Sequence, residues 1–231
     1  MLTRATDPRP ARVLLTGFGP FPGVRENPSE RLIRRQAADP GLRPRMDCDM
    51  RTAVLPTEWQ VVRSALPALL AEHDPDVILH FGVHERAAGL RVEQRARNHM
   101  GVAPDARGRR GTGTAIVSGA PRVLRSIGPS ERLVSQLRAG GLQAALSVDA
   151  GRYLCNMLFY LSLLHAQGTG RPHAVQFVHI PRVAEPGRHG PGRPMTSAEL
   201  DAGVAALIKA CLAFRPPRSL GRGRHGTEIA A

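Results

Sequence analysis

A chain of 231 residues with 42% hydrophobic side chains can bury one sizeable core, and no apolar run in it approaches the ~20 residues of a membrane span. Met1 to Arg12 lacks the apolar centre of a signal peptide, so a cytoplasmic protein with no membrane partner is expected. The formal charge of +13 invites a nucleic-acid reading, but it is almost all arginine spread along the chain, and aromatics at 4% leave little to stack on bases, so no obligatory nucleic-acid partner is expected.

Val13 to Leu15 forms a short buried strand that ends in Thr16-Gly17-Phe18-Gly19-Pro20-Phe21-Pro22, where glycine and proline impose a shaped loop. Asn27, followed by Pro28, caps a helix to about Ala38. Met50 to Leu55 reads as a second strand. Trp59, Val62, Leu66, Leu69 and Leu70 then recur at helical spacing until Asp74-Pro75 stops them. Asp76 to Gly82 is almost wholly apolar, as in a parallel strand covered on both faces, and Leu90 to Glu93 alternates as a half-exposed strand does.

From Asn98 to about Val117 the glycine, proline and arginine content makes loop the expectation, with Arg107 to Gly111 as a mobile basic segment. Pro129 to Ala139 reads as helix and Ala144 to Val148 as strand. Tyr153 to Ala166 is a helix with an apolar stripe at Leu154, Leu158, Leu161 and Leu164 or His165. Ala174 to His179 is a further buried strand, and Thr196 caps a last helix to about Phe214. The alternation predicts an α/β fold: one α/β/α sandwich around a mostly parallel twisted sheet, over residues 12–214. A flexible N-terminus (1–11) and a basic, disordered tail (215–231) are expected to flank it.

Ligands of open α/β sheets bind beyond the carboxyl ends of the strands. Four polar features fall there together: the Thr16 to Pro22 loop, His80 to Glu85, Asp149 to Cys155, and His179. Cys155 follows a glycine-containing turn at a helix entrance, where unpaired N–H groups and the helix dipole favour a thiolate. Such a nucleophile needs a histidine in hydrogen-bond reach and a third group to orient it. His179 is the best-placed histidine, with His84 as its rival. Glu93 competes with Glu85 and with Asp149 for the carboxylate, Asp149 being better suited to capping its own turn. Cys48 and Cys211 read as packing residues, and three widely separated cysteines indicate neither a disulfide framework nor a metal site.

Four blocks carry a resemblance: Thr16 to Phe21 with Asn27-Pro28-Ser29, Gly82 through Glu93-Gln94-Arg95-Ala96-Arg97-Asn98, Asp149-Ala150-Gly151-Arg152-Tyr153-Leu154-Cys155-Asn156, and Phe177-Val178-His179-Ile180-Pro181. In this order they resemble the pyroglutamyl peptidase I family of cysteine peptidases, over about Arg12 to Phe214. The resemblance implies a cofactor-free and metal-free hydrolase acting on peptides with N-terminal pyroglutamate, commonly assembled as a tetramer. It makes Cys155 the nucleophile, His179 the base and then acid, and Glu93 the group that orients His179. Phe18, Phe21 and Val83, with Tyr153 and Leu154 beside them, are the implied substrate-binding residues. The segment Gly82 to Gly89 and Arg97 depart from the commoner pattern of the family. A related cysteine amidase with a different N-terminal acyl specificity, or a basic nucleic-acid-binding protein, are the alternative readings.

Overall fold

The computed structural model describes residues 9–181 and 195–214. The tail expected over 215–231, and most of the N-terminal stretch, lie outside the described residues. The elements run β1 (Ala11–Phe18), α1 (Pro28–Ala38), α2 (Leu42–Met46), β2 (Cys48–Leu55), α3 (Trp59–His73), β3 (Val77–Val83) and β4 (Leu90–Glu93). They continue with β5 (Arg95–Arg97), β6 (Val123–Arg125), α4 (Ser130–Ala139), β7 (Ala144–Ser147), α5 (Leu154–Thr169), β8 (Ala174–Ile180) and α6 (Ser197–Ala213).

Six strands form one sheet in the order β2-β1-β3-β8-β4-β7. Every neighbouring pair is parallel except β4 against β8. Its central strands are the apolar runs expected of strands covered on both faces. One apolar cluster gathers α1, α2, α4 and α6 on one face, and a second gathers α3, α5 and the β5–β6 ribbon on the other. The three-layer α/β/α architecture is therefore as expected. Asn27 caps α1 by accepting from the Ser29 amide at 3.0 Å, and Thr196 with Glu199 forms a capping box on α6. No helix among the described residues is long and apolar enough to cross a membrane.

Three expectations change. The short elements α2, β5 and β6 were not foreseen. Helix α5 has no single stripe: Phe159, Tyr160, Ser162 and Leu163 are buried alongside Leu154 and Leu158, while Leu161 and Leu164 are only half-buried. The segment expected to be mobile near Arg109 is tied down: both Arg107 and Arg109 donate backbone amides to Asp105 Oδ1 at 2.9 Å, and both guanidiniums pair with Glu58.

A polar chain pins α5 to the sheet. His80, wholly buried on β3, shares hydrogen bonds with Thr16 Oγ1 of β1 (2.7 Å) and Ser162 Oγ of α5 (2.8 Å). Burial pushes the His80 imidazole down to about 3 from 6.5. The folded protein therefore keeps it neutral while the unfolded chain takes up a proton below pH 6.5. Stability from this group is full above that pH and falls by ~1.4 kcal/mol per pH unit on the way down. Urea unfolding of wild type and His80→Gln at pH 7 and pH 5 should give a smaller acid loss in the variant. Equal losses would remove His80 from the acid sensitivity.

Candidate active site

The strand register assembles the site. Thr16, His80, Phe177 and Glu93 lie opposite one another across β1, β3, β8 and β4, and the next row brings Gly82, His179 and Arg91 together. Phe177 belongs to the cluster of α3 and α5, so both rows face that layer. From there the His179 ring reaches diagonally: its Nδ1 lies 2.8 Å from Glu93 Oε1. Glu93 is completely buried and His179 is 4% exposed, which isolates the pair from water.

Cys155 is the second residue of α5 and half-buried. No side chain caps this helix at Tyr153, so its first-turn N–H groups point outward as hydrogen-bond donors. The sulfur lies close enough to act on the His179 imidazole. Burial alone pushes the His179 imidazole down, but hydrogen bonds to Cys155 and Glu93, with their charges, outweigh it and raise it to about 9. The imidazole of His179 thus stands between the sulfur of Cys155 and the carboxyl group of Glu93.

Two further residues shape the surroundings of Cys155, and neither had an assigned role in the sequence. A Cβ on Gly82 would lie 2.8 Å from Cys155 Sγ and 2.9 Å from the Phe177 ring, so the thiol sits directly over a bare stretch of β3. Asn156, fully buried, accepts from the Arg97 amide at 2.8 Å and donates to the carbonyls of Arg97 and His99, clamping the ribbon to the start of α5. A glycine ending an apolar strand and an asparagine following the cysteine were the available signals. Gly82→Ala should lower kcat by about 10²-fold, because a thiol displaced by about 1 Å leaves its attack geometry. Steady-state kinetics with a thermal melt measures this; unchanged kcat would show that the thiol has room to spare.

Beside the thiol lies an aromatic group. Tyr153 stands edge-on to Trp59 with ring centroids 5.1 Å apart and lies 6.4 Å from Phe21, and its hydroxyl donates to the Pro104 carbonyl at 3.0 Å. The loop carrying Phe21 is anchored at Gly19, whose carbonyl accepts from Asn27 Nδ2 and Thr57 Oγ1. Phe21, Tyr153 and Val83 are half-buried and can meet a ligand. Leu154 has no exposed surface and Phe18 only 2%; both belong to the apolar cluster on which Tyr153 packs. Leu154 and Phe18 therefore pack behind Tyr153 in the apolar interior and present almost no surface to a ligand. Trp59 joins the aromatic group without having been expected there.

The rival residues also have places. Asp149 accepts from the Gly151 amide at 3.2 Å, the turn-capping role expected of it, and Glu85 is exposed. His84 lies beside His179, with ring centroids 5.6 Å apart. Cys48 and Cys211 are buried free thiols, and burial pushes Cys211 up to about 12. Among the described residues no His/Cys/Asp/Glu group could hold a metal ion.

The family model described as pyroglutamyl peptidase matches residues 11–214. The chain belongs to the pyroglutamyl peptidase family. A pyrrolidone-carboxylate peptidase of Clavibacter michiganensis is 35% identical over 91% of this chain and 97% of its own length. The pyroglutamyl-peptidase 1 of Mus musculus is 30% identical over 89% of this chain and 91% of its own. The crystal structure of the pyrrolidone carboxyl peptidase of Pyrococcus furiosus superposes with a TM-score of 0.79 at 30% identity, covering 87% of this chain and 98% of that one.

Proposed function

We propose that this member of the family is a cysteine peptidase that hydrolyses the amide bond after an N-terminal pyroglutamyl residue, with Cys155 as nucleophile, His179 as acid and base, and Glu93 orienting His179. The observation that carries the reading is the buried Glu93–His179 hydrogen bond of 2.8 Å, with the Cys155 thiol at the start of α5 acting on the same imidazole. The Cys155 thiolate attacks the pyroglutamyl carbonyl, and first-turn N–H groups of α5 face the developing oxyanion. As the C–N bond breaks, the imidazolium proton passes to the leaving amine, leaving a thioester on Cys155. Neutral His179 then takes a proton from water, whose oxygen attacks the thioester. The products are pyroglutamate and the free thiol.

Phe21, Val83 and Tyr153 suit a compact neutral lactam, since an apolar slot binds an uncharged ring and disfavours a charged glutamate through desolvation. The three free cysteines are compatible with a reducing cytoplasm, and the family assignment supports a homotetramer, which light scattering of the purified chain would check. The reading requires no cofactor, membrane or nucleic acid.

A fluorogenic pyroglutamyl amide, assayed beside prolyl and alanyl controls, tests the specificity. Only the first should turn over; preference for a control would favour an amidase of different acyl specificity. The activity should decline at alkaline pH around a midpoint near 9, where His179 loses the proton destined for the leaving amine. A decline centred near pH 7 would contradict the imidazolium assignment.

A further inference from the structure

Beyond the three reacting side chains, a second imidazole stands against the site. His84 follows the last residue of β3, and its backbone amide donates to the Ile180 carbonyl at 2.9 Å, which fixes the loop to the end of β8. Its ring meets the His179 ring at 5.6 Å between centroids and 78° between planes, an edge-to-face arrangement. The Nδ1 atom of His84 is buried and has no hydrogen-bond partner among the described residues. A charge there would have no direct acceptor to offset it.

We infer that His84 is a positioning residue for the peptidase reaction: its neutral ring holds the His179 imidazole edge-to-face, and a proton on His84 discharges the Cys155–His179 ion pair. The charged groups facing His84 in the described structure come from two strands: His179 on β8, and Arg91 and Glu93 on β4. Burial holds the His84 imidazole below its ordinary value, and the positive charges of His179 and Arg91 act in the same direction, with the backbone of His84 itself and then Glu93 opposing. At neutral pH His84 is therefore uncharged beside the imidazolium of His179. When acid places a proton on it, two cationic rings face each other. The repulsion is relieved by moving the His179 proton to the Cys155 sulfur, which leaves a thiol, a neutral His179 and a cationic His84. That state has no thiolate to attack with.

The inference rests on the peptidase reading for its effect on turnover, but the thiolate can be followed without any peptide. The rate at which iodoacetamide alkylates Cys155, measured against pH, reports the thiolate directly, and hydrolysis of the pyroglutamyl amide is measured in parallel. His84→Phe keeps a ring against His179 and cannot titrate; His84→Gln has neither ring nor titration and serves as the second variant if the first fails to fold by circular dichroism. In both, the acid limb should move to lower pH. One pH unit below the wild-type midpoint, each should retain about fivefold more of its own plateau rate than wild type does. The alkaline limb should stay in place, because His84 is already neutral there. Only the glutamine variant should lose kcat at the plateau, since it lacks the ring that orients His179. Acid limbs that superimpose on wild type in the alkylation profile would overturn the role of His84. A wild type that alkylates normally but leaves the pyroglutamyl amide intact would instead overturn the peptidase reading.

Discussion

Cys155→Ser should lower kcat on a pyroglutamyl arylamide by about 10⁴-fold or more while leaving the thermal unfolding transition in place. A thiol gives up its proton to a neighbouring imidazole near neutral pH, whereas a serine hydroxyl does not, so the variant loses the preformed nucleophile. The His179 imidazole also loses the influence of the thiol, which is foremost among those raising it to about 9. The shorter oxygen sits over Gly82 without a clash, because the position above β3 already accommodates the larger sulfur. The fold has no reason to change. A variant that retains more than a tenth of the wild-type rate would move the nucleophile elsewhere.

Glu93→Gln should lower kcat by about 10³- to 10⁴-fold, with a smaller effect on KM. The carboxylate accepts the Nδ1 proton of His179 at 2.8 Å, which in the proposed mechanism leaves Nε2 to serve the thiol and the leaving amine. An amide of the same shape can present its NH2 group instead, which favours the wrong tautomer and cannot stabilise the imidazolium. The alkaline limb provides an independent readout. Glu93 is one of the groups that raise His179, so its removal moves the limb below the midpoint near 9, toward neutral pH. A kcat loss without that shift would mean that the substitution damages packing around the buried carboxylate instead of the proton relay.

The fold was legible where local chemistry and tertiary context agree. The strands β1, β3 and β8 are apolar because helices cover both faces, and α1 and α6 announce themselves by Asn27-Pro28 and by Thr196 with Glu199. Three-residue β5 and β6 are too short for any period to register, and their alternation places arginines outward on a ribbon that exists only because Asn156 and the second apolar cluster hold it. The single stripe expected on α5 is absent because a helix enclosed by the sheet, α3 and the ribbon is apolar nearly all round, so its periodicity carries little information.

The site divides in the same way. Cys155 and His179 could be picked out from their places at a helix start and a strand end. The residues alone left Glu93 open against Glu85 and Asp149, because the choice depends on the antiparallel register of β4 against β8, a non-local pairing that local patterning does not encode. The contribution of Gly82 is an absence of side chain opposite a sulfur 73 residues later in the chain (155 − 82), visible only once α5 is laid over β3. The same holds for His84, which looked like a competitor of His179 and stands against it instead.

The most direct measurement is stoichiometric alkylation of the wild-type protein with iodoacetamide, following residual hydrolysis of the pyroglutamyl amide while mass spectrometry maps the label among Cys48, Cys155 and Cys211. Activity should fall in proportion to the label on Cys155, with the two buried thiols unmodified and pyroglutamate slowing both processes together. Full activity with Cys155 completely alkylated, or inactivation with Cys155 still free, would contradict Cys155 as the nucleophile of this peptidase.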